Sequence, residues 1–499
     1  MAETAISITR TATLKASNFR WTVCALLFLA TTVNYMDRQV LSLTWKEFIA
    51  PEFHWTDSNY GLITAIFSIV YAVSNLFAGR FVDWMGSRKG YLWAIGIWSA
   101  GACLHSLCGY ATRLTLGLSA QALLEATGGI AVSVATVSVY FFIAARTVLA
   151  IGESGNFPAA IKATAEYFPK RDRAFATSIF NAGSAVGALV APFTIGPLAT
   201  YFQSIGWGNG WEMAFIVIGA LGFVWMGFWV FLYKAPASNP RVNKEELEYI
   251  EQDDENHEGV LNSQKEENEK IRIPLFKCFR YPQTWAVFIG KFLTDGVWWF
   301  FLFWTPAYIT DVFKLSTSYG EGMLMIFVLY LITMLSIYGG KLPSVLIDRA
   351  AARGVNEKPY TARMKAMLIF AVFPLLALLA QPLSGVSPWM PIIIIGIAGA
   401  AHQSWSANIY SVAGDLFPKG SVATIIGIGG MAGGMGSFLI NLSSGVLFDY
   451  AAQTRMAFLG YEGKPAGYFM VFCFCGVSYL VGWLIMKALV PKYKYVNYK

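Results

Sequence analysis

Long apolar runs alternate with short polar segments along almost the whole chain. Each run is close to the ~20 residues that a helix needs to cross a bilayer, and there are twelve of them, six on each side of a charged central stretch. The pattern therefore predicts an all-α polytopic membrane protein with twelve transmembrane helices in two six-helix halves. The predicted spans are 21–45, 60–82, 90–110, 139–160, 174–202, 211–233, 284–309, 319–346, 364–382, 389–414, 421–448 and 466–490.

The same pattern divides the chain into segments. Around the two halves we expect two short tails and a charged linker, part of which has the pattern of an amphipathic helix beginning at Lys244. The predicted segments are the N-terminal tail 1–20, the first half 21–233, the linker 234–283, the second half 284–490 and the C-terminal tail 491–499.

Residues 111–138 do not fit the regular count of spans. They are moderately apolar and contain Arg113, Gln121 and Glu125. A helix of this length extends about 42 Å, too short for two crossings and a turn, and a single extra crossing would invert the charge pattern of every later loop. We therefore predict a periplasmic or re-entrant insertion here.

Lysine and arginine are concentrated in alternate loops. They follow the second, fourth, eighth and twelfth predicted spans, whereas residues 203–210 and 382–388 are nearly free of them. Because positively charged loops stay on the cytoplasmic side, we expect both termini to be cytoplasmic. The net charge of +7 is then a consequence of topology, and we expect no nucleic-acid partner.

Composition narrows the class of protein further. Only 13% of the residues are charged, against nearer ~25% in soluble domains. The six cysteines form no CxxC pair, which favours packing over disulfide or metal chemistry. Because no nucleophile triad, metal-ligand cluster or phosphate loop stands out, we expect neither an enzyme nor a cofactor or bound metal.

Two adjacent charges, Asp37 and Arg38, lie inside the first apolar run. One charge at the centre of a lipid-facing helix costs from ~3 kcal/mol upward, so such residues usually face water, a partner or a ligand. The alternative is a helix that ends near Met36 and leaves the pair among the headgroups. Because residues 40–45 remain apolar, we favour a functional pair within the span.

The two halves share a sequence repeat. Residues 168–170 and 417–419 are both Phe-Pro-Lys, and an Ala-Thr pair and two glycines follow each of them. Parallel repeats of six spans place a substrate site near the midplane, between the halves. The glycine runs 183–187 and 429–434 also put small residues on one helix face, which suits either sliding or static close packing.

Residues 79–89, Gly-Arg-Phe-Val-Asp-Trp-Met-Gly-Ser-Arg-Lys, resemble the loop between spans two and three of the major facilitator superfamily. The corresponding second-half segment, 339–344, lacks the aspartate. The resemblance implies a conformational signature loop in which Gly79 allows close helix contact and the aspartate caps or pairs across the half. Its residues are Gly79, Asp83, Gly86, Arg88 and Lys89.

Residues 34–39, 152–162 and 402–408 resemble the anion:cation symporter branch and are most similar to bacterial hexuronate transporters. The resemblance implies a monomeric secondary transporter of the bacterial inner membrane, importing a sugar-acid anion such as glucuronate or galacturonate by alternating access. It implies H⁺ as the coupling cation. A carrier of galactonate or another organic monocarboxylate, coupled to Na⁺ or exchanging, is the alternative.

The acidic and basic residues suggest separate roles. The Arg38 guanidinium suits a substrate carboxylate because it can donate two parallel hydrogen bonds. By resemblance, Asp37 and Glu153 match acidic residues associated with proton coupling. The alternative for Glu153 is a structural ion pair with Arg146 or Arg38.

The remaining candidates would bind substrate. Lys291 would add a second cation from the opposite half, or would extend to the membrane surface. Trp298-Trp299 would stack on a sugar ring or face lipid, and His402 is favoured as a structural histidine. Hydroxyl and amide groups for sugar hydroxyls come from Tyr35, Tyr71, Gln403 and Asn408.

Overall fold

Twelve helical spans build the fold in the computed structural model, which describes residues 16–252 and 273–497. Spans 1 to 6 are Phe19–Thr44, the two parts of Asp57–His105, Gly128–Glu153 continued by Asn156–Tyr167, Lys170–Ser204, and Trp211–Leu232. Spans 7 to 12 are Pro282–Phe313, Gly320–Thr333 continued through Met334–Lys341 to Leu342–Ala351, Pro359–Val372 continued through Phe373–Leu379 to Ala380–Leu383, Trp389–Leu416, Lys419–Thr454, and Lys464–Leu489.

Shorter elements connect the spans. A π-helical turn extends span 1, and a two-stranded antiparallel hairpin precedes span 12. Their bounds are Trp45–Ile49, Ala50–Phe53, Cys108–Leu116, Ala120–Leu124, Pro236–Ser238, Lys244–Glu251 and Leu275–Cys278 for the helical turns, and Ala457–Phe458 and Tyr461–Glu462 for the strands.

Nine helical stretches in the described parts of the chain are long and apolar enough to cross a membrane. Asp57–His105 counts as one of them but contains spans 2 and 3, which are separated at Gly86 by a φ of 77°, a backbone conformation that glycine adopts at little cost. Spans 1 and 10 are not among the nine, and they contain many of the polar side chains described below.

The predicted insertion at 111–138 is shorter in the structure. Span 4 begins at Gly128, so residues 128–138 belong to it, and two short helices occupy most of the remainder. The second short helix is held by a hydrogen bond of 3.0 Å between His54 Nε2 and the Leu123 carbonyl. The predicted boundary at 138 was wrong: residues 128–138 are as apolar as the rest of span 4 and belong to it, and the polar positions Arg113, Gln121 and Glu125 all lie before its first residue. The side of the membrane on which residues 111–127 lie remains a prediction.

The repeated Phe-Pro-Lys turn has the same backbone conformation in both halves. Phe168 and Phe417 are extended, with φ of −127° and −122°, and Pro169 and Pro418 precede the next span in each case. Because proline cannot continue the preceding helix, it ends one span and starts the next. The similar backbone angles support the predicted duplication.

The halves pack against each other at the end of the molecule remote from the linker, which we call the far face; the opposite end is the linker face. There Trp45 stacks on Tyr60 at 4.1 Å, and Trp304 of the second half packs against Tyr60 at 5.1 Å. At the linker face Glu246 is buried and pairs with Arg20 at 3.1 Å, so the linker helix docks on the start of span 1.

A buried carboxyl group lies in the short helix that follows span 1. Glu52 is 9% exposed, and its Oε2 accepts a hydrogen bond of 2.6 Å from the Trp211 indole. Burial raises the pKa of Glu52 from 4.5 to about 7, because desolvation disfavours the carboxylate. The helix is therefore held to span 6 by a group that is neutral at acidic pH.

Candidate functional site

Arg38 and Glu153 form a buried ion pair between spans 1 and 4. Arg38 Nε and Nη2 donate hydrogen bonds of 2.9 and 2.6 Å to Glu153 Oε2. The side chains are only 4% and 0% exposed. Beside this pair, Gly152 lets span 4 approach span 3 closely, because a Cβ there would lie 2.3 Å from the Trp98 backbone nitrogen of span 3. The structural pair considered from the sequence is thus present, with Arg38 as the partner.

Aromatic rings surround the Arg38 guanidinium. Its central carbon lies 5.0 Å from the ring centre of Tyr35 and 4.9 Å from those of Tyr71 and Trp299, with Phe67 at 5.8 Å. Trp299 belongs to span 7, so the cation contacts both halves. Rings at this distance stabilise a cation through their negative faces and supply flat apolar surface on which a sugar ring can stack.

Asp37 and Arg146 are the other charged groups near this pair. Both are at least 99% buried. Arg146 Nη2 donates to the Arg38 carbonyl at 3.1 Å, and its guanidinium lies 4.8 Å from the Phe67 ring centre. Among the residues that the structure describes, neither oxygen of Asp37 has a hydrogen-bond partner of standard geometry. Two arginines thus balance two carboxylates in the first half.

The sequence analysis predicted no separate role for Arg146 and named it only as one possible partner of Glu153. The available signal was its place within span 4, two turns before Glu153 on the same helix. An arginine within a span is expensive enough to indicate a role by itself.

Lys291 forms a second intramembrane ion pair in span 7. Its Nζ lies 2.7 Å from Asp295 Oδ2, one turn along the helix, and 3.2 Å from Ser406 Oγ of span 10. It also lies 4.5 Å from the Tyr410 ring centre. The side chain is 2% exposed, so the ammonium does not extend to the surface.

The polar residues of span 10 have different surroundings. His402 Nδ1 shares a 2.8 Å hydrogen bond with the Tyr479 hydroxyl, and the ring stacks on Trp298 at 5.4 Å, as a structural histidine does. The Asn408 amide donates to the Ser404 carbonyl of its own helix at 2.8 Å. Gln403 is partly exposed. Neither amide contacts Arg38 through a hydrogen bond among the described residues.

The signature loop lies at the linker face. Asp83 pairs with Lys162 at 3.1 Å within the same half, and Arg88 Nη2 donates to the Val230 carbonyl at 2.8 Å. Lys89 is exposed and borders an apolar surface groove of about 540 Å³. A Cβ at Gly79 would meet no atom within 4 Å, so the close helix contact expected there is absent in this structure. Gly86 provides the backbone break described above.

Four charges form a ring between the halves at the far face. Lys46 Nζ lies 2.8 Å from Asp57 Oδ1 and 3.1 Å from Asp311 Oδ1. Lys464 pairs with the same two aspartates, at 3.4 Å from Asp311 Oδ2. Two members come from each half, and we call this set the far-face charge ring. It was not expected from the sequence, because its members are distant along the chain.

Two further carboxylates close the same face. Asp449 of span 11 accepts the backbone N–H of Asp57 at 3.0 Å, which places an anion at the N-terminus of span 2. Glu47 accepts the Thr317 N–H at 2.5 Å across the halves. The far face is therefore held shut by charge-assisted hydrogen bonds.

Comparison with known proteins identifies the family. A profile of the Major Facilitator Superfamily matches residues 27–441. The chain belongs to this superfamily. It is a membrane transporter and not an enzyme, and the predicted twelve-span fold in two halves is confirmed.

Three relatives illustrate the similarity. The hexuronate transporter of Escherichia coli (strain K12) is 28% identical over 436 residues, which cover 87% of this chain and 89% of that protein. A probable galactarate/D-glucarate transporter, GudP, of the same strain is 25% identical over 474 residues, covering 90% and 93%. A bacterial homologue of the human lysosomal transporter Spinster, solved in an inward-facing and occupied conformation, superposes with a TM-score of 0.62 at 18% identity, covering 94% and 97%.

Proposed function

We propose that this transporter imports a hexuronate-type sugar acid, such as glucuronate or galacturonate, together with H⁺. The observation that carries the proposal is the pair of Arg38 and Glu153. A buried guanidinium, ringed by aromatic side chains, has one carboxylate partner in the described structure. A substrate carboxylate can replace that partner with the same geometry, because Arg binds carboxylates through parallel N–H donors.

Proton loading supplies the coupling in this scheme. While Glu153 is ionised it holds two Arg38 donors, at 2.9 and 2.6 Å. Protonation of Glu153 removes its negative charge and releases the guanidinium to the substrate. Asp37 is the second candidate for the proton, since it is buried and its oxygens have no standard hydrogen-bond partner within residues 16–252 and 273–497. The proton and the anion then favour the same bound state, as coupling requires.

The sugar part of the substrate would lie against the aromatic surface beside Arg38. Trp299 and Tyr71 lie 5.7 Å apart, one from each half, and both face the guanidinium. The named substrates of the relatives, hexuronates for one and galactarate or D-glucarate for another, support a sugar acid as the cargo. A galactonate-type monocarboxylate, Na⁺ coupling and exchange remain the alternatives to be tested.

Alternating access then proceeds by opening the far face. The far-face charge ring must separate for substrate to enter from that side, because its four members bridge the halves. With both termini on the cytoplasmic side, as the loop charges predict, the far face is the periplasmic entrance. We propose that the protein does this as a monomer in the bacterial inner membrane.

Uptake into proteoliposomes tests the function. Purified protein is reconstituted, and uptake of labelled glucuronate, galacturonate and galactonate is compared under an inward pH gradient, an inward Na⁺ gradient and no gradient. We expect hexuronate uptake above the level of protein-free vesicles, driven by the pH gradient. Failure of every sugar acid to enter or to compete would refute the substrate class, and uptake driven by Na⁺ alone would refute proton coupling.

The Glu153→Gln variant separates coupling from binding in the same vesicles. We expect it to lose gradient-driven accumulation while retaining exchange of external for internal substrate, because its side chain cannot load and release a proton. Accumulation equal to that of the wild type would contradict the role of Glu153.

A further inference from the structure

The glycine run of span 11 encloses the second ion pair. A Cβ at Gly433 would lie 2.2 Å from Asp295 Oδ2, and a Cβ at Gly429 would lie 3.4 Å from Lys291 Cγ. The two glycines are four residues apart, as are Lys291 and Asp295, so one turn of span 11 accommodates one turn of span 7. These glycines therefore create room for a charged pair, beyond any part that they play in close helix packing.

The pair continues the face of span 7 that reaches Arg38. Lys291, Asp295 and Trp299 follow each other at four-residue intervals, and Trp299 lies 4.9 Å from the Arg38 guanidinium. At 1.5 Å per residue, Asp295 is about 6 Å and Lys291 about 12 Å beyond Trp299 along the helix. A sugar acid that binds Arg38 and stacks on Trp299 can therefore extend along this face of span 7 to reach Asp295.

Asp295 offers that far end a hydrogen-bond acceptor. Its Oδ2 is held by Lys291 at 2.7 Å, whereas its Oδ1 is buried and has no hydrogen-bond partner among the described residues. A buried acceptor of this kind is costly unless a donor reaches it. A sugar hydroxyl can donate to Oδ1, but a second carboxylate cannot, because it is itself an acceptor and carries the same charge.

We propose that Asp295 is a specificity-determining residue that selects sugar acids with one carboxylate over those with two. By occupying Lys291, it withholds the second-half cation from a second carboxylate, and its free oxygen accepts a hydroxyl from the uncharged end of a monoacid. This inference rests on the proposed function and adds the substrate's charge to it. The two kinds of substrate occur among the relatives, which carry hexuronates in one case and galactarate or D-glucarate in another.

The test is competition for uptake in proteoliposomes. Unlabelled glucuronate and glucarate compete with labelled glucuronate, and the ratio of their half-inhibitory concentrations is measured for the wild type, Asp295→Asn, and the double variant Lys291→Gln/Asp295→Asn. Asp295→Asn frees the ammonium, so we expect the ratio to move toward glucarate by about tenfold or more, the effect of a hydrogen bond to a charged group. The double variant removes that cation again and is expected to lose the gain.

Asp415→Asn is the matched control. It also removes one carboxylate from the second half, but Asp415 pairs with Arg363 at 2.8 Å, whereas Lys291 pairs with Asp295. We expect its competition ratio to equal that of the wild type. If Asp295→Asn is inactive in transport, the same ratio is measured from ligand-induced shifts in the melting temperature of the purified variant.

The outcomes separate this inference from the proposed function. A wild type that takes up no sugar acid refutes the proposed function. A wild type that takes up glucuronate, with an unchanged ratio in Asp295→Asn, refutes only the role of Asp295. A gain for glucarate that persists in the double variant also refutes it, because the gain would then not depend on Lys291.

Discussion

Replacing Glu153 by glutamine should strengthen substrate binding at alkaline pH. In the wild type the substrate carboxylate must displace Glu153 from Arg38, where it accepts two hydrogen bonds of 2.9 and 2.6 Å. Glutamine keeps the shape and one acceptor oxygen but removes the charge. The competitor for the guanidinium is therefore weaker, while the guanidinium itself and its four aromatic neighbours remain in place.

The size of the effect follows from the charge-assisted pair. Hydrogen bonds to charged groups contribute about 1.5–3 kcal/mol, roughly twice the value for neutral ones. Removing the charge from Glu153 should weaken each of the two hydrogen bonds by about half of this value. Together the two bonds then relieve about 1.5–3 kcal/mol of competition, which corresponds to about ten- to hundredfold in the dissociation constant of the substrate. The gain should vanish at acidic pH, where protonated Glu153 competes no better than glutamine.

Calorimetric titration of the purified protein with glucuronate, from pH 5.5 to 8, measures this. We expect wild-type affinity to fall as the pH rises and the affinity of Glu153→Gln to stay nearly constant. Asp37→Asn is the matched control, because it removes an equally buried carboxylate that makes no hydrogen bond to Arg38. The control should keep the pH dependence of the wild type.

Two results would refute this reasoning. If Glu153→Gln binds more weakly than the wild type at pH 8, Glu153 orients Arg38 for the substrate and does not compete with it. If Asp37→Asn, and not Glu153→Gln, abolishes the pH dependence, the coupling proton belongs to Asp37. Melting temperatures of both variants show whether either substitution has disturbed the fold.

Three further predictions concern other parts of the structure. Arg38→Lys should weaken glucuronate binding at least tenfold, because an ammonium lacks the planar fork of donors; unchanged affinity by calorimetry would contradict it. Lys464→Ala should open the far face, since Asp57 and Asp311 keep only Lys46 within the charge ring. The measurement is the rate of thiol labelling of a cysteine placed at Ser68, which is buried between the halves. This rate should increase in Lys464→Ala, and an unchanged rate would contradict the role of the ring. Glu52→Gln should flatten the pH dependence of the melting temperature. The folded state holds the Glu52 proton more tightly than the unfolded chain does, so the stability from this group is lost as pH rises from about 4.5 to about 7, and a variant with the wild-type slope would contradict the burial argument.

The fold could be predicted because the bilayer restricts the choices of the chain. A span must satisfy its backbone hydrogen bonds within itself, so apolar runs of sufficient length become helices. The boundary of span 4 could not be predicted in the same way. Residues 128–138 are apolar and helical, but they are rich in small residues and directly follow a segment that contains Arg113, Gln121 and Glu125, so the sequence does not show where the span begins.

The site could be predicted as a set of residues but not as a set of contacts. Arg38 and Glu153 stand out because charges within spans are expensive, yet the sequence left both Arg38 and Arg146 as possible partners of Glu153. Geometry decides, because Arg38 donates twice to Glu153 whereas Arg146 donates to the Arg38 carbonyl. The far-face charge ring was not predicted at all, since its lysines and aspartates lie at span ends, where charge is ordinary.

Span 11 shows how a correct motif can receive an incomplete interpretation. Its glycines were expected to permit close packing or sliding, and Gly434 does approach Ala72 of the other half, where a Cβ would lie 2.2 Å away. Gly433, the preceding residue, instead faces Asp295 of its own half. Small residues on neighbouring positions thus serve two different contacts, which periodicity alone does not separate.

Charge balance connects the two halves in one mechanism. The Arg38 and Lys291 clusters together contain six charged groups, three cations and three carboxylates, so this set is neutral when all are ionised. A monoanion adds one uncompensated charge, which costs several kcal/mol in a buried site unless a carboxylate takes a proton. By linkage the proton and the anion then strengthen each other's binding equally. In the proposed proton-coupled scheme, if Lys291 and Asp295 stay paired, the exchange is confined to the first half and we expect one proton to accompany each carboxylate. The six groups are Asp37, Arg38, Arg146, Glu153, Lys291 and Asp295.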